Sequence, residues 1–364
     1  MLDDVLKKLG TMDLLVISEA FILKSLNIFR IYYSTSSQFC KNSVRSMLTK
    51  RQVKLGIYLD SLRNSLVLYH SFPYIDKRDC TIRIDRIEEA NRKGQLVREM
   101  NLWKIKLFSV TMNFNEKPVL ASVESPKKMV VYWEKEIEGL IFMLNYLTEL
   151  FPHMPICDLE AERYSQENNK KVIEWVKRRD KPEVERFTMG EWSKAEGVLH
   201  VLENVNITVM RLFIDLPEDF KYDFPQNLKM LECAHARWIT RDQLLQMNYE
   251  QIYLSGTKFQ NKDISDLVNK IMNGNLPAFK VSRTLVVSPN MDEIANGINY
   301  DRIPSQLECK LKPTKYRGGS FDVYGVYDFE RADGNIVSLC SEFPNRTSRN
   351  ILLLVWSRTE PLEI

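Results

Sequence analysis

The sequence predicts a mixed α/β protein whose centre is a stack of strand–helix units, with a small helical segment and a β-rich region before it and a hairpin after it. Two observations lead there. Past residue 130, apolar patterns of helical and strand period take turns along the chain. The strands also recur at a fixed distance: Met210-Arg-Leu212, Leu231-Glu-Cys233 and Ile252-Tyr-Leu254 fall 21 residues apart both times. The last two units match further, with Trp238 on Phe259, Thr240 on Asn261 and Asp242 on Asp263. Val281, 27 residues after Leu254, extends the series forward; Phe187 and Leu159 extend it backward at intervals of 25 and 28 residues. One strand–helix unit cannot bury its apolar side, whereas stacked units share a core. Spacing of this kind therefore points to a leucine-rich-repeat-like solenoid. The asparagine ladder of regular repeats is missing, and the alternative is a plain α/β domain with coincidental spacing.

The elements follow in order. Residues 1–50 read as short helices, VLKKLGTMDLLVIS interrupted near Gly10 and STSSQFCKNSVRSML with a polar start, and between them the apolar stretch Glu19–Tyr33 fits a helix or a strand. Residues 51–130 are β-rich: Val53, Leu55, Ile57 and Leu59 alternate with polar or small residues, as do Leu66, Leu68 and His70, then Ile82 and Ile84. No element is assigned between Glu88 and Lys128. Residues 131–315 form the repeat-like region. Its helices are expected at Tyr132–Phe151, Gln166–Arg178, Glu191–Glu203, Arg241–Met247 and Lys262–Met272. Its strands are expected at Ile156–Glu160, Val184–Met189, Ile207–Ile214, Leu228–Cys233, Gln251–Leu254 and Phe279–Val287. Thr240 and Asn261 suit N-caps, and Thr240-x-x-Gln243 reads as a capping box. In residues 316–364, Val323–Phe329 and Ile336–Leu339 flank the tight-turn sequence Asp333-Gly-Asn335, and Ile351–Trp356 suits a buried strand.

Composition narrows the function. Of 364 residues, 51 are basic and 48 acidic, a net charge of +3 that gives no concentrated basic surface for nucleic acid. The basic run Lys170–Lys181 (KKVIEWVKRRDK) could serve as a nuclear-localisation or nucleic-acid patch. Glu167 and Glu174 dilute its charge, so it reads as the solvated side of a helix that buries Val172, Ile173 and Val176. The six cysteines stand singly, with no CxxC pair, as buried thiols of a cytoplasmic or nuclear protein would. The apolar windows Gly139–Leu147 and Ile351–Trp356 are too short for a bilayer, and MLDDVLKKLG lacks the basic start of a secretory signal, so no membrane partner is expected. There is no HExxH, GxSxG, P-loop or GxGxxG. His70, His153, His200 and His235 share no ligand spacing, and His200 reads as a core-edge residue. No catalytic residue, metal ligand, cofactor or enzyme activity is expected.

The stretch Asn227–Val287 closely resembles the type 2 F-box-associated domain of the large nematode F-box family. The likeness rests on Ile239-Thr-Arg-Asp-Gln-Leu244, the Ile252-Tyr-Leu254 strand, the Asn261-Lys-Asp-Ile264 helix start and the Gly274-Asn-Leu-Pro277 turn. Val323–Leu339 is similar to the family's closing hairpin. Residues 1–50 resemble the second half and end of an F-box, without its opening Leu-Pro segment and with Glu19–Tyr33 as an insertion. The resemblance implies a domain at about 205–290 that binds a protein substrate. It also implies an F-box that binds the Skp-type adaptor of a cullin–RING ubiquitin ligase, through Leu6, Leu9, Met12, Leu14 and Leu15. The ligase chemistry then belongs to other subunits. The alternative is a stand-alone repeat-type interaction module, or a degenerate F-box paralogue, without ligase association.

Strand alternation supplies the candidate substrate face. If Met210, Leu212, Leu231, Cys233, Ile252 and Leu254 point inward, then Arg211, Phe213, Glu232 and Tyr253 point outward, and Lys280 joins them if Phe279 and Val281 continue the inward set. Two aromatics among charges of both signs suit a protein or peptide rather than a polyanion. Alternatively, the terminal hairpin covers Phe213 and Tyr253. Deleting Glu19–Tyr33 is expected to preserve soluble expression of the chain; an insoluble deletion product would make the segment part of the core.

Overall fold

The computed structural model describes residues 53–59, 64–72, 75–88, 109–114, 117–125, 128–161, 166–190, 195–225, 227–304, 324–341 and 349–357. Leu6, Leu9, Met12, Leu14, Leu15 and Glu19–Tyr33 lie outside the described residues. The chain divides into two compact units, Met1–Val184 and Glu185–Ile364. The division falls inside the region read as one repeat-like domain. Strand Ile156–Ala161, at the start of that region, pairs in parallel with Val53–Leu59 on one side.

The first unit is a mixed sheet. Its strands are β1 (Val53–Leu59), β2 (Asn64–Phe72), β3 (Ile75–Arg86), β4 (Ser109–Phe114), β5 (Lys117–Ser125), β6 (Lys128–Trp133) and β7 (Ile156–Ala161). They lie in the order β7-β1-β2-β3-β6-β5-β4. β1, β2 and β3 form an antiparallel meander, β6 joins β3 in parallel, and β4 and β5 continue from β6 antiparallel. The alternation at Val53, Leu55, Ile57 and Leu59 buries all four, and Leu66, Leu68, Ile82 and Ile84 are fully buried beside them. Helix α1 (Glu136–Leu150) follows β6 and contacts β6, β3 and β2; α2 (Gln166–Lys177) follows β7 and contacts α1. The helix expected from Tyr132 starts later, because Met129, Val130, Val131 and Tyr132 are buried in β6 with partners on both sides. At Gly139 a Cβ would lie 2.4 Å from the Trp133 ring, so the missing side chain is what lets the indole lie on α1.

The second unit holds the parallel strand–helix units. Its elements are β8 (Glu183–Met189), whose first residues fall at the boundary, α3 (Ala195–Asn204), β9 (Asn206–Leu212), β10 (Met230–Cys233), α4 (Arg241–Leu244), β11 (Gln251–Leu254), α5 (Asn261–Met272), β12 (Val281–Leu285), α6 (Met291–Asn296), β13 (Arg302–Ile303), β14 (Tyr324–Glu330), β15 (Asn335–Ser341) and β16 (Asn350–Ser357). The order is β8-β9-β10-β11-β12-β16-β15-β14-β13. β9, β10, β11 and β12 are parallel neighbours. The 21-residue offset is their register: Leu231 pairs with Met210 and Ile252, and Cys233 with Leu212 and Leu254. These six side chains share one face of the sheet and are at most 1% exposed. Ile264, Leu267, Val268 and Ile271 on α5 are fully buried as well.

The fourth strand departs from the expected spacing. Val281 pairs with Gln251, so it lies on the face opposite Ile252 and Leu254, and the inward series continues in Ser282 and Thr284. The interval has grown to 30 residues because α5 has 12 residues where α4 has 4. Caps follow the same logic. Thr240 caps α4 in the expected capping box, its N–H donating to Gln243 Oε1 at 2.9 Å. Asn261, however, is the first residue of α5, and Gln260 holds the cap position, its N–H donating to Asp263 Oδ2 at 2.8 Å.

Asn261 instead ties its unit to the next. Its Oδ1 accepts from Asn290 N at 3.0 Å and its Nδ2 donates to Glu293 Oε2 at 2.6 Å. Asn248 Oδ1 accepts from Ala278 N at 2.8 Å, and Asn269 Oδ1 from Asn299 N at 2.8 Å. Asparagine amides thus satisfy loop N–H groups one repeat further on, the work a strand-side ladder does in regular repeats.

Antiparallel strands complete the unit. β16 pairs with β12, β15 with β16, and β14 with β15, joined by the turn at Asp333-Gly-Asn335 where Gly334 has φ 84°. Arg331 and Asn335 both bond to Asp333 there. Replacing Asn261 by alanine should cost about 1–3 kcal/mol, because it leaves the Asn290 N–H without its acceptor and the Glu293 carboxylate without its donor. Thr240→Ala should cost about 1 kcal/mol. Denaturant unfolding of each variant checks both, and an Asn261→Ala protein as stable as the parent would show that the cross-repeat tie contributes nothing.

Candidate functional site

The outward-facing set predicted from alternation is brought together only in part. Arg211 and Glu232 are register partners on β9 and β10, and their side chains form an ion pair at 3.3 Å while 23% and 14% exposed. Tyr253 follows in the same row on β11, opposite Glu232, but is only 3% exposed. Its ring packs in a cluster with Val209, Met230, Val281, Cys340, Leu352 and Leu354, and its hydroxyl donates to Gln251 Oε1 at 3.3 Å. The terminal strands cover this aromatic, so it supports the row from within and does not meet a partner. Phe213 is half-buried just beyond β9, where its N–H donates to Met189 O at 2.8 Å.

Lys280 is exposed, one residue before β12, and belongs to a different row from Arg211 and Glu232. Its Nζ lies 3.2 Å from Glu250 Oε2, and Lys229 Nζ lies 3.9 Å from Glu250 Oε1. The backbone sets this alignment: Gln251 N donates to Lys229 O and Lys280 N to Glu250 O. A Lys–Glu–Lys row therefore crosses the loops leading into β10, β11 and β12. Sequence reasoning missed Lys229 and Glu250, although the 21-residue offset that aligns the strands also places Lys229 on Glu250. A third row joins the helices, where Arg241 at the start of α4 meets Asp266 at 2.8 Å and Asp263 at 3.5 Å on α5. The hydrogen bond to Asp266 raises the Arg241 pKa above its ordinary value. Beyond β9, Lys258 donates to Glu218 at 2.5 Å and holds that carboxyl below its usual range.

Side chains with chemical potential elsewhere are inwardly committed. Burial pushes the Cys233 thiol up to about 12, with the His235 backbone acting in the other direction. Cys340 is raised by burial too, with Asp328 adding to the effect. His200 is half-buried, its Nδ1 3.5 Å from Asn204 Nδ2. Among the described residues no group of three His, Cys, Asp or Glu side chains could hold a metal ion, and no described helix is long and apolar enough to cross a membrane. The arrangement that stands out is a set of paired charges repeated from unit to unit over a buried aromatic. Such a surface can offer hydrogen bonds and ion pairs at regular intervals.

This is the architecture of a mixed α/β protein with in-register parallel strand–helix units. Residues 219–281, which run from the loop after β9 through β10, α4, β11 and α5 to the first residue of β12, match a family model described as F-box associated. Glu232, Glu250, Tyr253 and Lys280 fall within the match; Arg211 and Phe213 precede it. No curated protein and no solved structure matches the chain.

The burial difference gives a direct test of which residues are structural. Tyr253→Ala should destabilise the chain by about 3–5 kcal/mol, as truncation of a large core aromatic does. Lys280→Ala should stay within about 0.5 kcal/mol of the parent. Thermal melting of the two variants checks this, and a Tyr253→Ala protein with unchanged melting would return that ring to the open surface.

Proposed function

We propose that this chain is the substrate-recognition subunit of a Skp–cullin–F-box ubiquitin ligase of the nematode type, with no catalytic residue of its own. The observation that carries the reading is the match of residues 219–281 to the F-box-associated family, over the very segment whose strands repeat in register. In this reading β9 to β12 and their helices act as a leucine-rich-repeat-like solenoid. Arg211, Phe213, Glu232 and Lys280, joined by Lys229 and Glu250, form the surface that holds a protein target in the cytoplasm or nucleus. Tyr253 keeps that surface in shape. Leu6, Leu9, Met12, Leu14 and Leu15 engage the Skp-type adaptor.

The mechanism is proximity. A target held beside a charged ubiquitin carrier reacts at a raised effective concentration, so the recognition subunit accelerates transfer by position alone. Rows of partly exposed ion pairs suit such a holding surface. Each pair contributes little to the fold, roughly 0.2–1 kcal/mol, and can be exchanged for a partner's charges at small cost.

A stand-alone interaction module would share the target surface and lack the adaptor. Co-purification separates the two. The full chain should bring down the adaptor and a cullin, and a Leu9→Asp/Leu14→Asp double variant should lose both while keeping its melting temperature. Equal recovery from the two proteins, or none from either, contradicts the ligase reading. Arg211→Ala/Lys280→Ala should keep the adaptor and lose the target.

A further inference from the structure

Two Asn-Gly pairs, Asn273-Gly274 and Asn296-Gly297, and one Asp-Gly pair, Asp333-Gly334, stand in the second unit. An asparagine before glycine carries a latent reaction of its own. The glycine amide nitrogen, once free and deprotonated, attacks the asparagine Cγ, and no side chain on the glycine stands in its way. The new N–Cγ bond closes a succinimide ring, the Cγ–Nδ2 bond breaks and ammonia leaves. Water then opens the ring at either carbonyl and leaves aspartate or isoaspartate. The attack is intramolecular, so its rate depends on how readily the chain brings nitrogen and carbon together.

The sequence treats the two Asn-Gly pairs alike, and the fold separates them. Both close a helix, Asn273 as the C-cap of α5 and Asn296 as the last residue of α6. Both are exposed, and both side-chain carbonyls accept a hydrogen bond. Asn273 Oδ1 takes one from the Tyr300 hydroxyl at 2.6 Å, and Asn296 Oδ1 takes one from Arg302 Nη2 at 2.7 Å. Polarisation of the carbonyl under attack is therefore common to the two. The difference lies in the nucleophile.

Gly297 is pinned. Its N–H is shared between Glu293 O and Ile294 O, each at 3.1 Å, and its carbonyl accepts from Asn269 Nδ2 at 3.0 Å. A Cβ here would fall 2.7 Å from Ser265 Oγ, so α5 is packed against this residue. Arg302, which holds the Asn296 amide, is itself seated 4.5 Å from the centre of the Tyr327 ring. Swinging Gly297 N toward Cγ undoes several of these contacts together. Gly274 is held more lightly: its N–H donates to Ile271 O at 2.9 Å, and a Cβ at 274 would meet nothing within 4 Å. It sits at φ 74° at the head of the turn Gly274-Asn-Leu-Pro277, with Asn273, Gly274 and Asn275 all exposed. Opening the last turn of α5 releases it.

Asp333 is the third candidate, and its ionisation removes it. Ring closure at an aspartate needs the neutral carboxyl, because a carboxylate repels the incoming electron pair. The Arg331 guanidinium, with Asn335 assisting, holds the Asp333 carboxyl well below the usual range.

We propose that Asn273 is a modification site: in the folded protein it converts to aspartate and isoaspartate, while Asn296 and Asp333 do not. The isoaspartyl product adds a methylene to the main chain and a carboxylate at the head of the turn that leads to Lys280. It thereby lengthens the segment that delivers Lys280 to its row with Glu250, whatever that row binds.

Ageing the full chain in mildly alkaline buffer, folded and in concentrated urea, tests it. Trypsin places the two asparagines on separate peptides, Ile271–Lys280 and Thr284–Arg302, and liquid chromatography with mass spectrometry resolves asparagine, aspartate and isoaspartate in each. Methylation by protein isoaspartyl methyltransferase, with labelled S-adenosylmethionine as methyl donor, counts the isoaspartate independently. In urea Asn273 and Asn296 should convert at similar rates. In the folded chain Asn273 should convert about tenfold or more faster than Asn296, the factor expected when one extra hydrogen bond must open. Asp333 should stay unchanged in the folded chain. Asn273→Gln should remove the isoaspartate of the folded chain and leave the Asn296 signal in urea. Folded-state conversion that is equal at the two asparagines, faster at Asn296, or confined to the urea samples would overturn the proposal.

Discussion

Leu231 lies between Met210 and Ile252, and Cys233 between Leu212 and Leu254; this double register is the constraint on which the second unit depends. Side chains alternate along a strand, so a slip of one residue would exchange the six buried positions for Arg211, Glu232 and Tyr253. Charged groups would then enter a layer that is fully closed to water. The register is also what aligns the loops. Lys229, Glu250 and Lys280 stand in one row because the strands after them are in step. The asparagine ties from Asn248, Asn261 and Asn269 reach their targets 29 or 30 residues ahead for the same reason.

The opposite face of this unit's sheet is also buried over part of its area. The apolar cluster of Val209, Met230, Tyr253 and Val281 continues into Leu352, Leu354 and Cys340 of the antiparallel strands. A buried polar chain accompanies it, in which Trp356 Nε1 donates to Ser338 Oγ at 2.8 Å and Ser338 Oγ to Asp328 Oδ1 at 2.5 Å. Burying each large apolar side chain contributes roughly 1.5–3 kcal/mol, far more than an exposed ion pair does. The fold is therefore held by the two apolar layers and depends little on the charge rows.

Much of this was legible in the sequence because the repeat writes itself into residue type. The 21-residue offset between Met210, Leu231 and Ile252 became the observed register, and Thr240 with Gln243 became a capping box. What failed did so where one local pattern serves two outcomes. Spacing alone puts Val281 on the inward face, but the longer helix α5 shifts the count to 30 residues and turns it outward. Asn261 has the chemistry of a cap, and spends it on the next repeat instead. Tyr253 stands on the outward parity as expected, yet long-range pairing of β12 with β16 brings Leu352 and Leu354 over it. Alternation gives the side of a strand and not what lies on that side. Strands β4 and β5, in a stretch with weak patterning, were invisible for want of a partner to name.

The candidate site shares that division. Arg211, Glu232 and Lys280 could be read from alternation, but their assembly into separate rows depends on Glu250 and on loop geometry. In the proposed role the chain would mark a protein for destruction by holding it. Protein half-lives measured across the proteome, in cells with and without the chain and with and without cullin activation blocked, test it most directly. The account predicts a small set of proteins whose half-lives lengthen on loss of the chain and lengthen no further when cullins are blocked as well. Half-lives that do not respond to the chain, or that respond equally whether or not cullins are active, would contradict it.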